Sequence, residues 1–410
     1  MVAIDILRTA GFEAYPVGGC VRDSLMNKVP GDYDITTNAM PQQCLECFKN
    51  FRTICNGIKH GTVTVVINGE CIEITTFRID GSYSDGRHPD SVTFSSVLKD
   101  DLSRRDFTVN AMAYDVNKGV VDCFGGKQDL KNKLIRCVGN PDKRFNEDAL
   151  RIMRALRFSS VLGFEIEMST AESIHKNAFL LKSISKERIL AELSKLLTGE
   201  NAGNVVKNYG DVLAVVFDVA VQSKNGAFVK AAEVIENSYR RKSDVILAFC
   251  CLMCIDFSPD GAYSAFLELK GSRELRDNVK AVLGAGVAFD FKPDRVFVRK
   301  LLSKYGTSNA KRILDLCAAA APQKKTDCLA AEKMIDYVIN DGDCVRISEL
   351  DIDGNDISQN LSLSGREIGD MLQSLLSAVI NGNVINRRQE LTEYAKTLCT
   401  NAKGDNKENV

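Results

Sequence analysis

The sequence predicts an α+β fold, with a mixed α/β head followed by a wholly helical remainder. The strand signal comes from HGTVTVVI (60–67) and CIEITTFRI (71–79), which are rich in β-branched residues and alternate in polarity. This signal fades after about Asn140, where amphipathic helical patterns take over, most of them followed closely by glycine. The clearest helical segments are 147–163, 184–199, 296–306, 309–321 and 366–382.

Composition excludes several classes of protein. With 45% hydrophobic and 26% charged residues, the 410-residue chain matches ordinary globular proteins. Its net charge of −1 means that any nucleic-acid binding must use local basic surfaces. No apolar run approaches the roughly 18 residues of a membrane span, and MVAIDILRTAG lacks a signal-peptide pattern. We interpret the 14 scattered cysteines as reduced, which predicts a cytoplasmic location.

The segment PVGGCVRDSLMNKVPGDYDITT (16–37) carries a pair of aspartates two residues apart. In a strand, Asp32 and Asp34 share one face, with Tyr33 on the other. Carboxylates this close repel each other unless a cation lies between them, and Mg²⁺ prefers such oxygen ligands. A D-x-D pair is also common in polar turns, so it indicates a metal site only in combination with its neighbours.

The residues just before this pair predict a phosphate site. Gly18 and Gly19 let backbone N–H groups approach an anion, because no side chain blocks them. Arg22 falls in the first turn of the short helix predicted for CVRDSLM, where it can pair with a phosphate oxygen. A phosphate cradle beside a metal pair suits phosphoryl or nucleotidyl transfer. No Walker A pattern is present in the sequence.

Two further segments contain candidate site residues, each of which could instead have a purely structural role. Glu73, on the strand CIEITTFR, is equally compatible with a third metal ligand and with a solvent-facing charge. In DLSRRDFTVNAMAYD (101–115), Arg105 is a candidate phosphate ligand, while Asp106 and Asn110 are candidates to bind ribose hydroxyls. A surface ion-pair cluster is the alternative for the second segment.

The helix predicted for EDALRIMRALRF (147–158) carries Asp148, Arg151, Arg154 and Arg157 at every third position. Asp148 can accept from an exocyclic amine while Arg151 donates to the neighbouring ring nitrogen. Cytosine and adenine offer that amine–acceptor pattern, whereas uracil and guanine offer the reverse, and a mispaired polar group costs a few kcal/mol. The alternative is an ion-paired, solvated helix face.

Taken together, these segments resemble the class II tRNA nucleotidyltransferases, the CCA-adding enzymes. GGCVRDSLMNKVPGDYDITTNAMP is similar to their catalytic signature, DLSRRDFTVNAMAYD to their ribose motif and EDALRIMRALRF to their base-recognition helix. ERILAELSKLL (187–197) resembles their neck-stabilising motif. The ordered match covers about residues 11–200, and 361–395 resembles the tail of the bacterial enzymes.

The resemblance implies a polymerase-β-like nucleotidyltransferase head (1–137) with a helical neck (138–200), body (201–310) and tail (311–400), before a disordered end (401–410). It implies that Asp32 and Asp34 hold Mg²⁺ and act in catalysis, and that Asp148 and Arg151 select C or A. The residues it implies in nucleotide binding are Gly19, Arg22, Arg105, Asp148, Arg151, Arg154 and Arg157.

By the same resemblance, the chain adds C, C and A from CTP and ATP to the 3′ end of tRNA, releasing pyrophosphate. Body and tail would hold the acceptor and TΨC arms, with basic candidates at 240–242, 324–325 and 387–388. RIDGSYSDGRHPDSVTF (78–94) resembles the flexible loop of full CCA enzymes, although His88 stands where an arginine is expected. The alternatives are an A-adding enzyme, a poly(A) polymerase, and a non-catalytic tRNA-binding protein of the same fold.

Overall fold

The computed structural model describes residues 2–81, 83, 90–217, 226–238, 243–255, 257–286 and 291–405. The chain forms two compact units, Met1–Ala232 with Ala265–Gly271, and Glu233–Ser264 with Ser272–Val410. All strands in the described residues belong to the first unit, and the second is helical, so the predicted α+β class is confirmed. The finer division into head, neck, body and tail at the stated residues stays a prediction.

The strands are β1 (Ala14–Val17), β2 (Asp34–Thr37), β3 (Arg52–Ile54), β4 (Thr62–Ile67), β5 (Glu70–Thr76), β6 (Arg78–Asp80), β7 (Val92–Phe94), β8 (Met112–Asp115), β9 (Gly119–Asp122), β10 (Leu134–Ile135) and β11 (Glu165–Ile166). The helices up to residue 237 are α1 (Val2–Thr9), α2 (Gly19–Leu25), α3 (Pro41–Cys47), α4 (Leu98–Ser103), α5 (Gly126–Lys131), α6 (Pro141–Glu147), α7 (Leu150–Leu162), α8 (Met168–Asn177), α9 (Lys186–Leu197), α10 (Ala202–Asn208), α11 (Gly210–Val216) and α12 (Ala227–Asn237). Those after it are α13 (Val245–Met253), α14 (Pro259–Glu268), α15 (Arg273–Gly284), α16 (Arg295–Ala320), α17 (Lys325–Asn340), α18 (Gly354–Leu361), α19 (Arg366–Asn381) and α20 (Arg388–Asp405). Short 3-10 helices lie at Ile58–His60, Thr108–Asn110, Ala178–Ser183, Pro322–Lys324 and Ile347–Glu349.

A seven-stranded sheet in the order β3-β4-β5-β2-β1-β8-β9 organises the head. Its alternation follows the sequence: along β4, Val63, Val65 and Ile67 are buried while the residues between them are partly exposed. These buried side chains pack with apolar residues of α1 and α3 into one core. Strand β2 runs antiparallel to β1 and parallel to β5, which places Asp34 opposite Glu73.

Helices α7 and α9 pack closely against each other beyond the sheet. Near the C-terminal end of α7, Ser160 Oγ donates to the carbonyl oxygen of Leu196 at 2.5 Å, and its own carbonyl accepts from Asn201 N at 3.0 Å. A Cβ atom at Gly199 would lie only 2.7 Å from the carbonyl carbon of Ser160. Real Cβ atoms do not approach a backbone carbonyl this closely, so the packing of these two helices depends on glycine at position 199.

The second unit is built from helices around its own apolar core. The two helices predicted for 296–306 and 309–321 form the two arms of α16, which bends at Gly306 (φ 72°, ψ 169°). Its C-terminal helices α18, α19 and α20 bury apolar residues including Ile357, Leu375 and Leu391.

Candidate active site

Asp34 opens strand β2, but the structure differs from the prediction at Asp32. The strand begins at Asp34, so Asp32 lies in the preceding segment and the prediction that one strand contains both aspartates is wrong. Pro30 and Gly31 favour a turn there, which delays the start of the strand. The pKa of Asp34 is raised mainly by desolvation on burial. The negative charge of Glu73 raises it further, and Asp32 makes a smaller contribution.

The negative charges of Glu73 and Asp32 both act to raise the pKa of Asp34, so the three carboxylates lie close enough for Asp34 to be repelled by the other two. Their oxygen atoms are suitable ligands for a divalent metal ion. No group of three or more His, Cys, Asp or Glu side chains in the described parts of the chain is close enough to hold a metal. Asp34 and Glu73 are nevertheless register partners on neighbouring strands, so the role of Glu73 stays open.

Gly18 and Gly19 lie directly against two of the predicted arginines. Gly18 has φ 80°, donates its N–H to the Met112 carbonyl at 3.1 Å, and precedes the first residue of α2. A Cβ atom at Gly18 would lie 3.1 Å from Arg105 Nη1, and one at Gly19 would lie 3.7 Å from Arg22 Nη2. Because neither glycine has a side chain, a guanidinium group lies close to the backbone at each of the two positions.

Arg105 is held by a buried carboxylate that the sequence analysis did not single out. Asp101 has no exposed surface and accepts from Arg105 Nη2 at 3.1 Å and from Arg104 Nη2 at 2.7 Å. Burial alone would raise the pKa of Asp101, but the two guanidinium groups outweigh it and hold the pKa below its usual value. The Thr36 hydroxyl donates to the same carboxylate at 3.0 Å, which ties Arg105 to strand β2 beside Asp34.

A chain of hydrogen bonds connects Arg22 in the head to Arg154 on α7. Arg22 Nη1 donates to Asn110 Oδ1 at 2.6 Å, and Asn110 Nδ2 donates to Asp106 Oδ1 at 3.2 Å. The other oxygen of Asp106 accepts from Arg154 Nε at 2.8 Å and Nη2 at 2.5 Å. Burial acts to raise the pKa of Asp106, but Arg154 lowers it to about 2. The Asp106 and Asn110 side chains thus bind one another and two arginines.

Asp148 lies outside the helix that was predicted to carry it. Helix α7 begins at Leu150, and Asp148 is extended (φ −145°, ψ 103°), so the prediction of a continuous helical stripe from this residue is wrong. The physical reason is a local cap: Asp148 Oδ1 accepts from the Leu150 backbone N–H at 3.0 Å. Its Oδ2 accepts from Arg188 Nη2 at 3.0 Å.

Arg151 is buried and bonded to the chain around it. Its Nη1 donates to Glu147 Oε2 at 2.7 Å and to the Arg144 carbonyl at 3.1 Å, and its Nη2 donates to the Arg104 carbonyl at 3.2 Å. These bonds use three of its five N–H donors, so two remain. Likewise, Asp148 has about four lone-pair sites and uses two. Both side chains can still bond to a ligand without giving up a partner.

Helix α9 supplies two side chains that the sequence analysis missed, one pairing with Asp148 and the other with arginines of α7. Arg188 binds Asp148, and Glu192, one turn further on, lies 2.5 Å from Arg157 Nε and 4.0 Å from Arg154 Nη1. The spacing of four residues places Arg188 and Glu192 on one face of α9. The only sequence signal was their position within ERILAELSKLL, because nothing in local periodicity links them to residues 35 to 40 positions earlier.

Five of the site residues suggested by the sequence line one open cavity of about 270 Å³. Its lining is Arg104, Arg105, Asp106, Asp148, Leu150, Arg151, Arg154 and Arg188. Five of these eight side chains are arginines and two are aspartates, so the cavity is suited to an anion that also carries hydrogen-bonding groups. Gly19, Arg22, Asp32, Asp34 and Arg157 are not among the described lining residues.

Some candidates from the sequence lie elsewhere or outside the described residues. His88 and the basic run 240–242 are outside them. Arg388, in the second unit, forms an ion pair with Asp356. In the described parts of the chain, no helix is both long enough and apolar enough to cross a membrane.

Family models match three parts of the chain. The Poly A polymerase head domain matches residues 14–136, an RNA- and SrmB-binding segment of polymerase A matches 163–209, and tRNA nucleotidyltransferase domain 2 matches 239–395. Together with the seven-stranded head and its site of carboxylates and arginines, these matches identify the protein as a nucleotidyltransferase.

Relatives over the whole length narrow the class. The CCA-adding enzyme of Lactobacillus helveticus is 35% identical over 399 residues, covering 97% of this chain and 96% of the relative. That of Staphylococcus saprophyticus is 33% identical over 402 residues, covering 96% of each. The crystal structure of the Bacillus stearothermophilus CCA-adding enzyme in complex with CTP matches with a TM-score of 0.83 and 31% identity, covering 98% of both chains. The chain belongs to the CCA-adding enzyme family of tRNA nucleotidyltransferases.

Proposed function

We propose that this protein adds C, C and A in turn to the 3′ end of tRNA, using CTP and ATP and releasing pyrophosphate. The observation that carries the proposal is the cavity in which Arg105, Asp148, Arg151 and Arg154 converge, in a chain similar to CCA-adding enzymes over its full length. The order of addition would follow from these side chains and the growing tRNA end, without a nucleic-acid template.

Within this site, Asp32 and Asp34 are the proposed catalytic pair. They would hold Mg²⁺, whose charge would lower the pKa of the attacking 3′-hydroxyl and offset the negative charge of the triphosphate. The mutual repulsion of Asp34 and Glu73 fits this role, because a bound cation would relieve it. Gly19, Arg22 and Arg105 would bind the triphosphate, and the close approach of both glycines to these arginines supports this assignment.

Asp148 and Arg151 are the proposed base-selecting pair. Their spare acceptor sites and N–H donors suit the adjacent amine and ring nitrogen of cytosine and adenine. Uracil and guanine would face Asp148 with a carbonyl oxygen, and the resulting unpaired groups would cost about 1–3 kcal/mol each. Arg154 and Arg157 would bind the same nucleotide from the following turns of α7.

We further propose that the helical remainder binds the acceptor and TΨC arms of tRNA through phosphate contacts. The chain would act in the cytoplasm, and its 14 cysteines, all of them free thiols, support a reducing compartment.

An A-adding enzyme and a poly(A) polymerase are disfavoured by the full-length similarity to CCA-adding enzymes. A non-catalytic binder would have no use for closely spaced carboxylates that repel one another.

One incorporation assay tests this proposal. Purified protein is given Mg²⁺, a tRNA that ends at the discriminator base, and CTP, ATP, UTP and GTP singly and in combination. We expect two C residues with CTP alone, and C, C, A with CTP and ATP together. Incorporation of A alone would identify an A-adding enzyme, long A-tails would identify a poly(A) polymerase, and no incorporation would refute enzymatic function. Replacing Mg²⁺ with Ca²⁺ tests the choice of metal.

A further inference from the structure

Three arginines of the proposed nucleotide site surround one buried aromatic ring. The Cζ atoms of Arg22, Arg154 and Arg157 lie 5.2, 5.5 and 4.0 Å from the centroid of the Phe158 ring. Phe158 is 6% exposed and follows Arg157 on α7. Phe107 meets the ring edge-on, with centroids 5.7 Å apart and planes at 80°.

Three guanidinium groups this close together repel one another unless nearby negative charge offsets them. Arg22 pairs with Asp23, Arg154 with Asp106, and Arg157 with Glu192, so each guanidinium has at least one carboxylate partner. Burial lowers the pKa of Arg157, Glu192 opposes this change, and the nearby charge of Arg154 adds to the lowering. The negative face of an aromatic ring attracts cations, most strongly where water is excluded. The Phe158 ring is thus a shared partner for three cations that otherwise repel.

The cation–π contacts with Phe158 differ from the ion pairs because they leave the guanidinium donors available to a ligand. A cation–π contact uses no N–H hydrogen, so the donors of the guanidinium stay available. Arg157 illustrates this: Glu192 approaches its Nε at 2.5 Å, and within the described residues its ion pair with Glu192 does not involve Nη1 or Nη2. The ring can fix the position of an arginine while leaving its donors for an anionic ligand.

We infer that Phe158 is a positioning residue for nucleotide binding, which holds Arg22, Arg154 and Arg157 in place through its π face. The inference rests on the proposed function, because it takes these arginines as nucleotide ligands. Phe158 joins arginines from two segments, since Arg22 lies on α2 and the other two on α7. Apolar packing alone does not provide this role, because an aliphatic side chain of similar volume has no negative face.

Progressive fluorination of the ring separates the two roles, because fluorine weakens the π face with little change of shape. Phenylalanine with one, two or three ring fluorines is introduced at position 158 by stop-codon suppression. We expect the KM for CTP to rise by about two- to three-fold at each step, to about ten-fold or more in total. The melting temperature should stay nearly constant. Phe158→Leu should raise KM at least as much as the trifluorinated ring.

Phe48 is the matched control. It is fully buried in the head core and has an edge-on partner in Phe51, at 6.0 Å and 69°. Within the part of the chain that the structure describes, no arginine lies over its ring. The same fluorinated series at position 48 should leave KM unchanged. A flat KM series at position 158, or equal slopes at both positions, would overturn the inference.

Direct CTP binding by calorimetry keeps this test separate from the proposed function. If the wild-type protein incorporates no nucleotide, the proposed enzymatic function fails, and the Kd for CTP still reports on Phe158. If the wild-type protein adds C, C and A but the Kd for CTP does not follow fluorination at position 158, only the inference about Phe158 fails.

Discussion

Asp106→Asn removes a negative charge from the buried hydrogen-bond chain between Arg22 and Arg154 while keeping the shape of the side chain. The Asn Oδ1 atom can still accept from Phe107 N and Asn110 Nδ2, which lie at 2.8 and 3.2 Å from the wild-type oxygen. The new amide group, however, points donor hydrogens at the Arg154 guanidinium. Arg154 therefore loses the carboxylate that accepts from both its Nε and its Nη2, and its other ion pair in the described residues is with Glu192 at 4.0 Å.

Two estimates give the size of the effect. Lowering the pKa of Asp106 from 3.8 to about 2 corresponds to roughly 2 kcal/mol of stabilisation at neutral pH. Loss of a hydrogen bond to a charged group costs about 1.5–3 kcal/mol. We expect Asp106→Asn to lower the free energy of unfolding of the first unit by about 2–4 kcal/mol at pH 7. Since folding depresses this pKa, the difference from wild type should persist down to about pH 4 and shrink as the pH falls towards 2.

Urea unfolding followed by far-UV circular dichroism measures this difference, because the chain contains no tryptophan to report by fluorescence. Hydrogen exchange of peptides covering 104–112 and 150–162 locates it. Glu172→Gln is the matched control, since Glu172 is exposed on α8 and forms no ion pair or hydrogen bond recorded in the described residues. A change below about 0.5 kcal/mol for Asp106→Asn, or one equal to that of the control, would refute the reasoning.

Three further outcomes are expected. Asp34→Asn should reduce incorporation at least about a hundred-fold and leave tRNA affinity in filter binding within about two-fold; equal activity would remove Asp34 from the catalytic pair. Asp148→Ala should lose the preference for CTP over UTP or lose rate, with tRNA still bound; unchanged selectivity would reject its role in base selection. Gly18→Ala should cost about 1–3 kcal/mol of stability, because the residue has φ 80° and the new methyl would lie 3.1 Å from Arg105 Nη1. A melting temperature equal to wild type would show that the backbone adapts.

The sequence was sufficient for the family, the α+β class and the helical remainder, because these depend on ordered motifs and on periodicity. Strand β4 shows why: its alternating Val and Thr residues become alternating buried and partly exposed positions in the sheet. The bend at Gly306 similarly follows from a glycine between two amphipathic segments.

What the sequence could not supply were contacts between distant segments and the exact ends of elements. Asp148 has the spacing of a helical stripe, but a backbone hydrogen bond to Leu150 favours an extended conformation before the helix. The pairing of Asp148 with Arg188, 40 positions later, leaves no trace in local periodicity. Nor does the position of Phe158, which as a sequence feature is only one more apolar residue of an amphipathic helix.

The close contact between Ser160 and Gly199 has a consequence for how natural variants should be interpreted. Position 199 touches no proposed ligand, yet a single added methyl group would force α7 and α9 apart at this end. Because Glu192 on α9 faces Arg154 and Arg157 on α7, such a displacement would alter the arginines without changing any of them. A conservative Gly199→Ala variant is therefore expected to behave genetically like a variant of the nucleotide site.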